Sequence, residues 1–207
     1  MVTPTGEPYE DASMFSTATR VLRLRFVPPS TRLEEHEAGQ LIDFVAYAHE
    51  SVLSGVLRLD ADRLTDLLNG ADEVELLDVV CLGLDGGIAE AERVIVPRAE
   101  LVAVKAGDPR GRPSLRRPTR QVAIVAGAGR FVMHGYAHGR PGADPMLHIS
   151  RRPPMVPLTD ATIAYEGPDG SRRDDASTLI VNRDSADWIR LAREDERMRL
   201  GRAWGAA

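Results

Sequence analysis

A chain of 207 residues suits one large domain or two small ones. Its 43% hydrophobic and 28% charged residues are ordinary for a globular protein, and a net charge of −5 gives no default affinity for nucleic acid or anionic lipid. Aromatic residues are only 5%, too few for a surface that stacks many bases or sugars, and the single cysteine, Cys81, excludes an internal disulfide and a cysteine zinc cluster.

Residues 1–19 show no sustained period and no basic-then-apolar leader, so they read as a flexible N-terminal segment. No apolar run reaches the length of a membrane span, which makes a cytoplasmic protein the expectation. Residues 20–27, Arg-Val-Leu-Arg-Leu-Arg-Phe-Val, largely alternate basic and apolar side chains, the pattern of a strand with one dry face. Pro28 and Pro29 end it, because proline brings no N–H to a ladder.

Strands at 40–48 and 52–59 meet at His49, Glu50 and Ser51 as a hairpin. Leu64, Leu67 and Leu68 then fall at helical spacing. With Asp60 or Asp62 as the cap and Asn69-Gly70 as the stop, they predict an amphipathic helix of about two turns. Strands follow at 74–84, within 92–96 and at 99–105, with a turn at Asp85, Gly86 and Gly87.

Residues 107–120 break the periodicity with three prolines, two glycines and five arginines. We read 108–120 as a Pro/Arg-rich linker between a first β unit at 20–107 and a second at 121–191. In the second, strands at 121–126 and 130–138 flank Gly127, Ala128 and Gly129. Residues 139–150 stand where the short helix stood, as a short helix or helix-like loop, and Pro141 and Pro145 weigh against a regular helix there. Further strands are read at 156–165 and 177–181, around a turn at Gly167, Pro168, Asp169 and Gly170.

The second half echoes the first. Val-Pro-Leu-Thr-Asp at 156–160 resembles Val-Glu-Leu-Leu-Asp at 74–78, and Gly55, Asp78 and Arg98 recur in the same order as Gly135, Asp160 and Arg183. The fold expectation is therefore mainly β: two tandem small β-barrel-like units, each with a short helix or helix-like loop, in apolar contact with one another. The echo asks for a strand up to Leu191. Opposite charges at helical spacing, such as Asp195 with Arg199, predict a charged C-terminal helix within 192–207.

Four constellations are candidates for chemistry. His134, His138 and His148, with Asp144, carry metal-ligating groups. However, His134 and His138 lie about 13 Å apart if the strand is regular. Cys81 lies in an apolar run, with Asp78 on the opposite face of the strand, which favours a buried structural thiol over a nucleophile. Arg110, Arg112, Arg116, Arg117 and Arg120, with Arg151 and Arg152, form an anion- or nucleic-acid-binding candidate. Residues 33–107 hold sixteen acidic and five basic residues, so the rest of the chain is net positive. Finally, Asp78 with Arg98 and Asp160 with Arg183 are read as a structural carboxylate–arginine pair in each unit. Neither a Gly-x-Ser-x-Gly elbow nor a phosphate-binding Gly-x-x-x-x-Gly-Lys-Ser/Thr loop is present.

Arg116 and Arg120 resemble the arginine pair leading into the barrel of PilZ-type cyclic-dinucleotide receptors, although the Asp/Asn-x-Ser-x-x-Gly strand motif of that family does not follow. Arg-Leu-Thr-Asp-Leu-Leu-Asn at 63–69, Pro-Leu-Thr-Asp-Ala at 157–161 and Asn182-Arg183 resemble motifs of bacterial small β-barrel domains of unknown function, divided here between the two halves. That second resemblance implies a small barrel and no particular activity.

Functionally, the sequence points first to a non-enzymatic binding or assembly module, acting on a protein partner or on itself, with no cofactor and no membrane. Nucleic-acid or nucleotide binding through the linker arginines is the second reading. A metal-dependent enzyme using the second-unit histidines is the third.

Overall fold

The computed structural model describes residues 24–26, 39–106 and 119–196. In chain order these form β1 (Arg25–Phe26), β2 (Gln40–Ala48), β3 (Ser51–Leu59), α1 (Leu64–Gly70), β4 (Glu73–Gly83), β5 (Ile88–Pro97), a 3₁₀ turn (Arg98–Glu100) and β6 (Leu101–Ala106). There follow β7 (Arg120–Ala128), β8 (Phe131–Gly139), α2 (Pro145–Ser150), β9 (Met155–Gly167), β10 (Gly170–Asn182), a 3₁₀ turn (Arg183–Ser185) and β11 (Trp188–Leu191). The chain is mainly β. The strands of the described residues form one eleven-stranded antiparallel sheet, ordered β1-β5-β4-β3-β2-β6-β10-β9-β8-β7-β11.

Pairing registers correspond between the halves. Gln40 lies opposite Leu59 in β2–β3, and Arg120 opposite Gly139 in β7–β8. The next pairing slips between Ser54 and Val56 in β3, and between His134 and Tyr136 in β8, so each slip falls on a glycine. A Cβ on Gly55 would stand 2.8 Å from the Leu77 carbonyl oxygen, and one on Gly135 would stand 2.9 Å from Leu158 Cβ. Across each slip an aspartate takes up the irregularity with positive φ: 49° at Asp78 and 46° at Asp160. Aspartate tolerates this left-handed conformation better than branched residues do. Val45 faces Lys105 in β2–β6 just as Val125 faces Arg190 in β7–β11.

The short helices form for different local reasons. In α1, Leu64 and Leu68, one turn apart, are both buried. Its N-cap is Arg63 with no side-chain cap bond, so neither Asp60 nor Asp62 takes the expected role. Residues 139–150, where two prolines weighed against a regular helix, contain the six-residue α2. Pro145 occupies its first turn, where no intrahelical N–H is needed, and the Asp144 carboxylate accepts from Leu147 N at 2.9 Å.

The halves meet edge to edge, where β6 pairs with β10 from Ala103–Val181 to Ala106–Thr178. The expected apolar contact takes the form of exchanged side chains. Tyr47 from β2 joins a core cluster otherwise built largely from the second half, and Met155 and Ile180 join that of the first. Tyr47 is 1% exposed, its ring packed edge-on against Phe131 and Tyr165, and its hydroxyl donates to Asp174 at 2.9 Å. Among the described residues no helix is long and apolar enough to cross a membrane.

Candidate functional site

The two recurring arginines act on the helices. Arg98 Nη1 donates to the carbonyls of Leu68, Asn69 and Ala71 at 3.4, 3.4 and 3.0 Å, and Nη2 pairs with Asp72 at 2.9 Å. Arg183 Nη1 donates to the carbonyls of Ile149, Ser150 and Arg152 at 3.2, 2.7 and 2.6 Å, and the same guanidinium pairs with Asp184. Each cation therefore closes the carbonyl end of a short helix, where the last four C=O groups lack intrahelical partners. These contacts replace the expected Asp78–Arg98 and Asp160–Arg183 pairs. Asp78 and Asp160 instead shape the backbone at the strand irregularities.

Two asparagines tie the halves across the seam. The Asn69 side-chain amide donates to the Met155 carbonyl and accepts from the Met155 N–H, both at 3.0 Å, as a strand partner would. Asn182 is 3% exposed and donates to the carbonyls of Leu101 at 2.9 Å and Arg98 at 3.2 Å. In the sequence Asn69 marks a helix stop and closes the 63–69 motif, and neither reading points to Met155. A side chain bonding a distant backbone leaves no periodic signal.

The histidines gather differently from a metal centre. At the end of β8, His138 Nδ1 lies 3.0 Å from the Thr119 hydroxyl and Nε2 lies 2.8 Å from the Thr159 hydroxyl. Arg152 donates through Nε to His148 Nε2 at 3.1 Å and through Nη2 to the His138 carbonyl. Burial, then the Arg152 charge, holds both imidazoles below their ordinary pKa. Asp144 is occupied as a helix cap, and among the described residues no group of three His, Cys, Asp or Glu side chains is placed to hold a metal ion. A guanidinium bonded to His148 and to the His138 carbonyl would also repel a divalent cation.

The result is a narrow crevice between β7, β8 and α2, lined in part by Arg120, His138, Arg140 and His148. Arg120 and Arg151 are exposed, whereas Arg152 is partly buried and committed to its neighbours. Arg110, Arg112, Arg116 and Arg117 lie outside the described residues. Cys81 is buried, and burial raises its thiol pKa, which opposes formation of a nucleophilic thiolate.

The other notable surfaces are the sheet ends. On β11, Trp188 and Leu191 are 43% and 41% exposed for large apolar residues on an edge strand. Comparison of the chain with protein-family models, with curated proteins and with solved structures finds no match.

Proposed function

We propose that the protein is an assembly module made of two diverged copies of one small β unit, and that it self-associates. The observation that carries this reading is the β6–β10 seam, which joins the last strand of one half to a non-equivalent strand of the other. Such a contact is heterologous. Unlike a two-fold contact, it leaves one complementary surface of each kind at the ends of the pair: the outer edge of β11, and the outer edge of β5, on which the chain's own β1 lies. The matching registers, glycine slips and positive-φ aspartates support the two-copy origin.

The test is the molar mass of the purified chain by light scattering after size exclusion. A whole multiple of 22.6 kDa at micromolar concentration is the expected result. A single species at the monomer mass under all conditions would refute self-association.

Anion or nucleic-acid binding is the second reading, and one observation favours it. The Thr119–His138 contact anchors the end of the arginine-bearing segment beside Arg120 and Arg140 in the crevice. Salt-sensitive retention of a labelled oligonucleotide, lost when Arg116, Arg117 and Arg120 become alanine, is the expected behaviour. No retention at low salt would remove this reading.

A further inference from the structure

Resting on the self-association reading, we infer a specific docking edge: the outer edge of β5 from Arg93 to Val96 receives β11 of a second copy, in competition with the chain's own β1. The internal seam supplies the template. Arg98 and Arg183 occupy corresponding 3₁₀ turns, so β5 corresponds to β10 and β6 to β11. In the seam Ala103, Val104, Lys105 and Ala106 face Val181, Ile180, Leu179 and Thr178. Carried to the sheet ends, this register places Trp188 opposite Val96, Ile189 opposite Ile95, Arg190 opposite Val94 and Leu191 opposite Arg93.

That stretch of β5 is the place β1 takes, with Arg25 opposite Ile95 and Phe26 opposite Val94. Within one chain, β1 thus fills on β5 the position that β6 fills on β10. Among the described residues it fills it with two residue pairs. The strand β1 protects an otherwise exposed edge, and β11 of a second copy competes with it for the same backbone groups.

The opposing edge is suited to the role. Ala192 N donates to Ala123 O. Alternate residues of an antiparallel strand point their polar groups the same way, so the N–H and C=O groups of Ile189 and Leu191 point away from β7. Among the described residues no strand pairs with that side of β11. Repeating the contact makes a head-to-tail ring or filament rather than a closed two-fold dimer.

Intermolecular disulfide trapping in the full chain tests the register. Opposed residues in an antiparallel pair lie about 4.5–5.5 Å apart at Cα, within disulfide reach. The Arg93→Cys/Leu191→Cys double variant should form oxidised multimers, while each single variant, whose other cysteine is the buried Cys81, should yield none. Adding Arg25→Pro, which removes a β1 amide, should raise the multimer yield several-fold at a given protein concentration. Absence of multimers, or a link confined to one chain, overturns the docking edge. An unchanged yield with Arg25→Pro overturns the competition by β1. If trapping fails while the wild-type mass still exceeds 22.6 kDa, self-association stands and only this edge is wrong; if the mass is also monomeric, both fall.

Discussion

Asp78 and Asp160 are the only non-glycine residues with positive φ among those described, and they sit at the same point of two similar strand pairings. Each faces the strand whose register slips at a glycine. The backbone fixes this pairing of features more tightly than side-chain chemistry does. Replacing Asp160 with glycine should leave stability unchanged or slightly raised, whereas Asp160→Val should lose roughly 1–2 kcal/mol, the order of the left-handed penalty. Urea unfolding of the two variants checks this, and equal midpoints would count against it.

Gly135 should tolerate even less. Its missing Cβ would meet both Leu158 Cβ at 2.9 Å and Ala161 Cβ at 3.0 Å, so the β9 strand would have to shift to admit it. Gly135→Ala should lower stability by about 1–3 kcal/mol. Thermal unfolding by circular dichroism measures the loss.

The helix-closing arginines predict a local effect. Arg183→Met keeps much of the side-chain bulk and removes the cation from the carbonyls of Ile149, Ser150 and Arg152. Charge-assisted bonds of this kind contribute about 1.5–3 kcal/mol each when buried, less at partial exposure. Hydrogen exchange in α2 should accelerate while exchange in β2–β3 stays as it was. Uniform acceleration would mean the arginine supports the whole fold instead.

Asn69 is a sharper case. Asn69→Asp keeps the acceptor for Met155 N–H and sets a carboxylate against the Met155 carbonyl, whose residue is 1% exposed. A buried acceptor facing a charge without a proton should cost more than the loss of the bond in Asn69→Ala, which is about 1–3 kcal/mol. Ranking the two by chemical denaturation at pH 7 decides it, and a more stable Asp variant contradicts the contact.

Tyr47 gives a pH dependence. Burial first, then its hydrogen bond to Asp174, raises the phenol above its ordinary value near 10. The neutral phenol is favoured in the folded state, so its contribution is complete below the unfolded pKa and is lost as pH rises from there towards the folded one. The wild type should lose stability more steeply above pH 10 than Tyr47→Phe. Parallel alkaline profiles would rule out this linkage.

Much of this was legible in the sequence. Strand runs on either side of His49-Glu50-Ser51 and of Gly127-Ala128-Gly129 marked the hairpins, and three repeated landmarks set Gly55, Asp78 and Arg98 beside Gly135, Asp160 and Arg183. What those landmarks do was not legible. Arg98 reaches carbonyls of α1, in a helix far from it along the chain, and no spacing rule encodes such a contact. The prolines of 139–150 argued against a helix that in fact begins at one of them, because position within the helix decides whether proline breaks it. The seam was hidden for a similar reason: β6 reads as an ordinary apolar strand whether its second neighbour comes from its own half or the other.

Sedimentation of the wild-type chain beside Leu191→Pro, over a hundredfold range of concentration, tests assembly through the sheet ends most directly. Proline at that outward-facing amide removes a donor from the outer edge of β11 and none from its pairing with β7. The account predicts a wild-type mass rising to a whole multiple of 22.6 kDa and a variant that remains at 22.6 kDa. Two chains that associate alike, or two that stay monomeric, would contradict it.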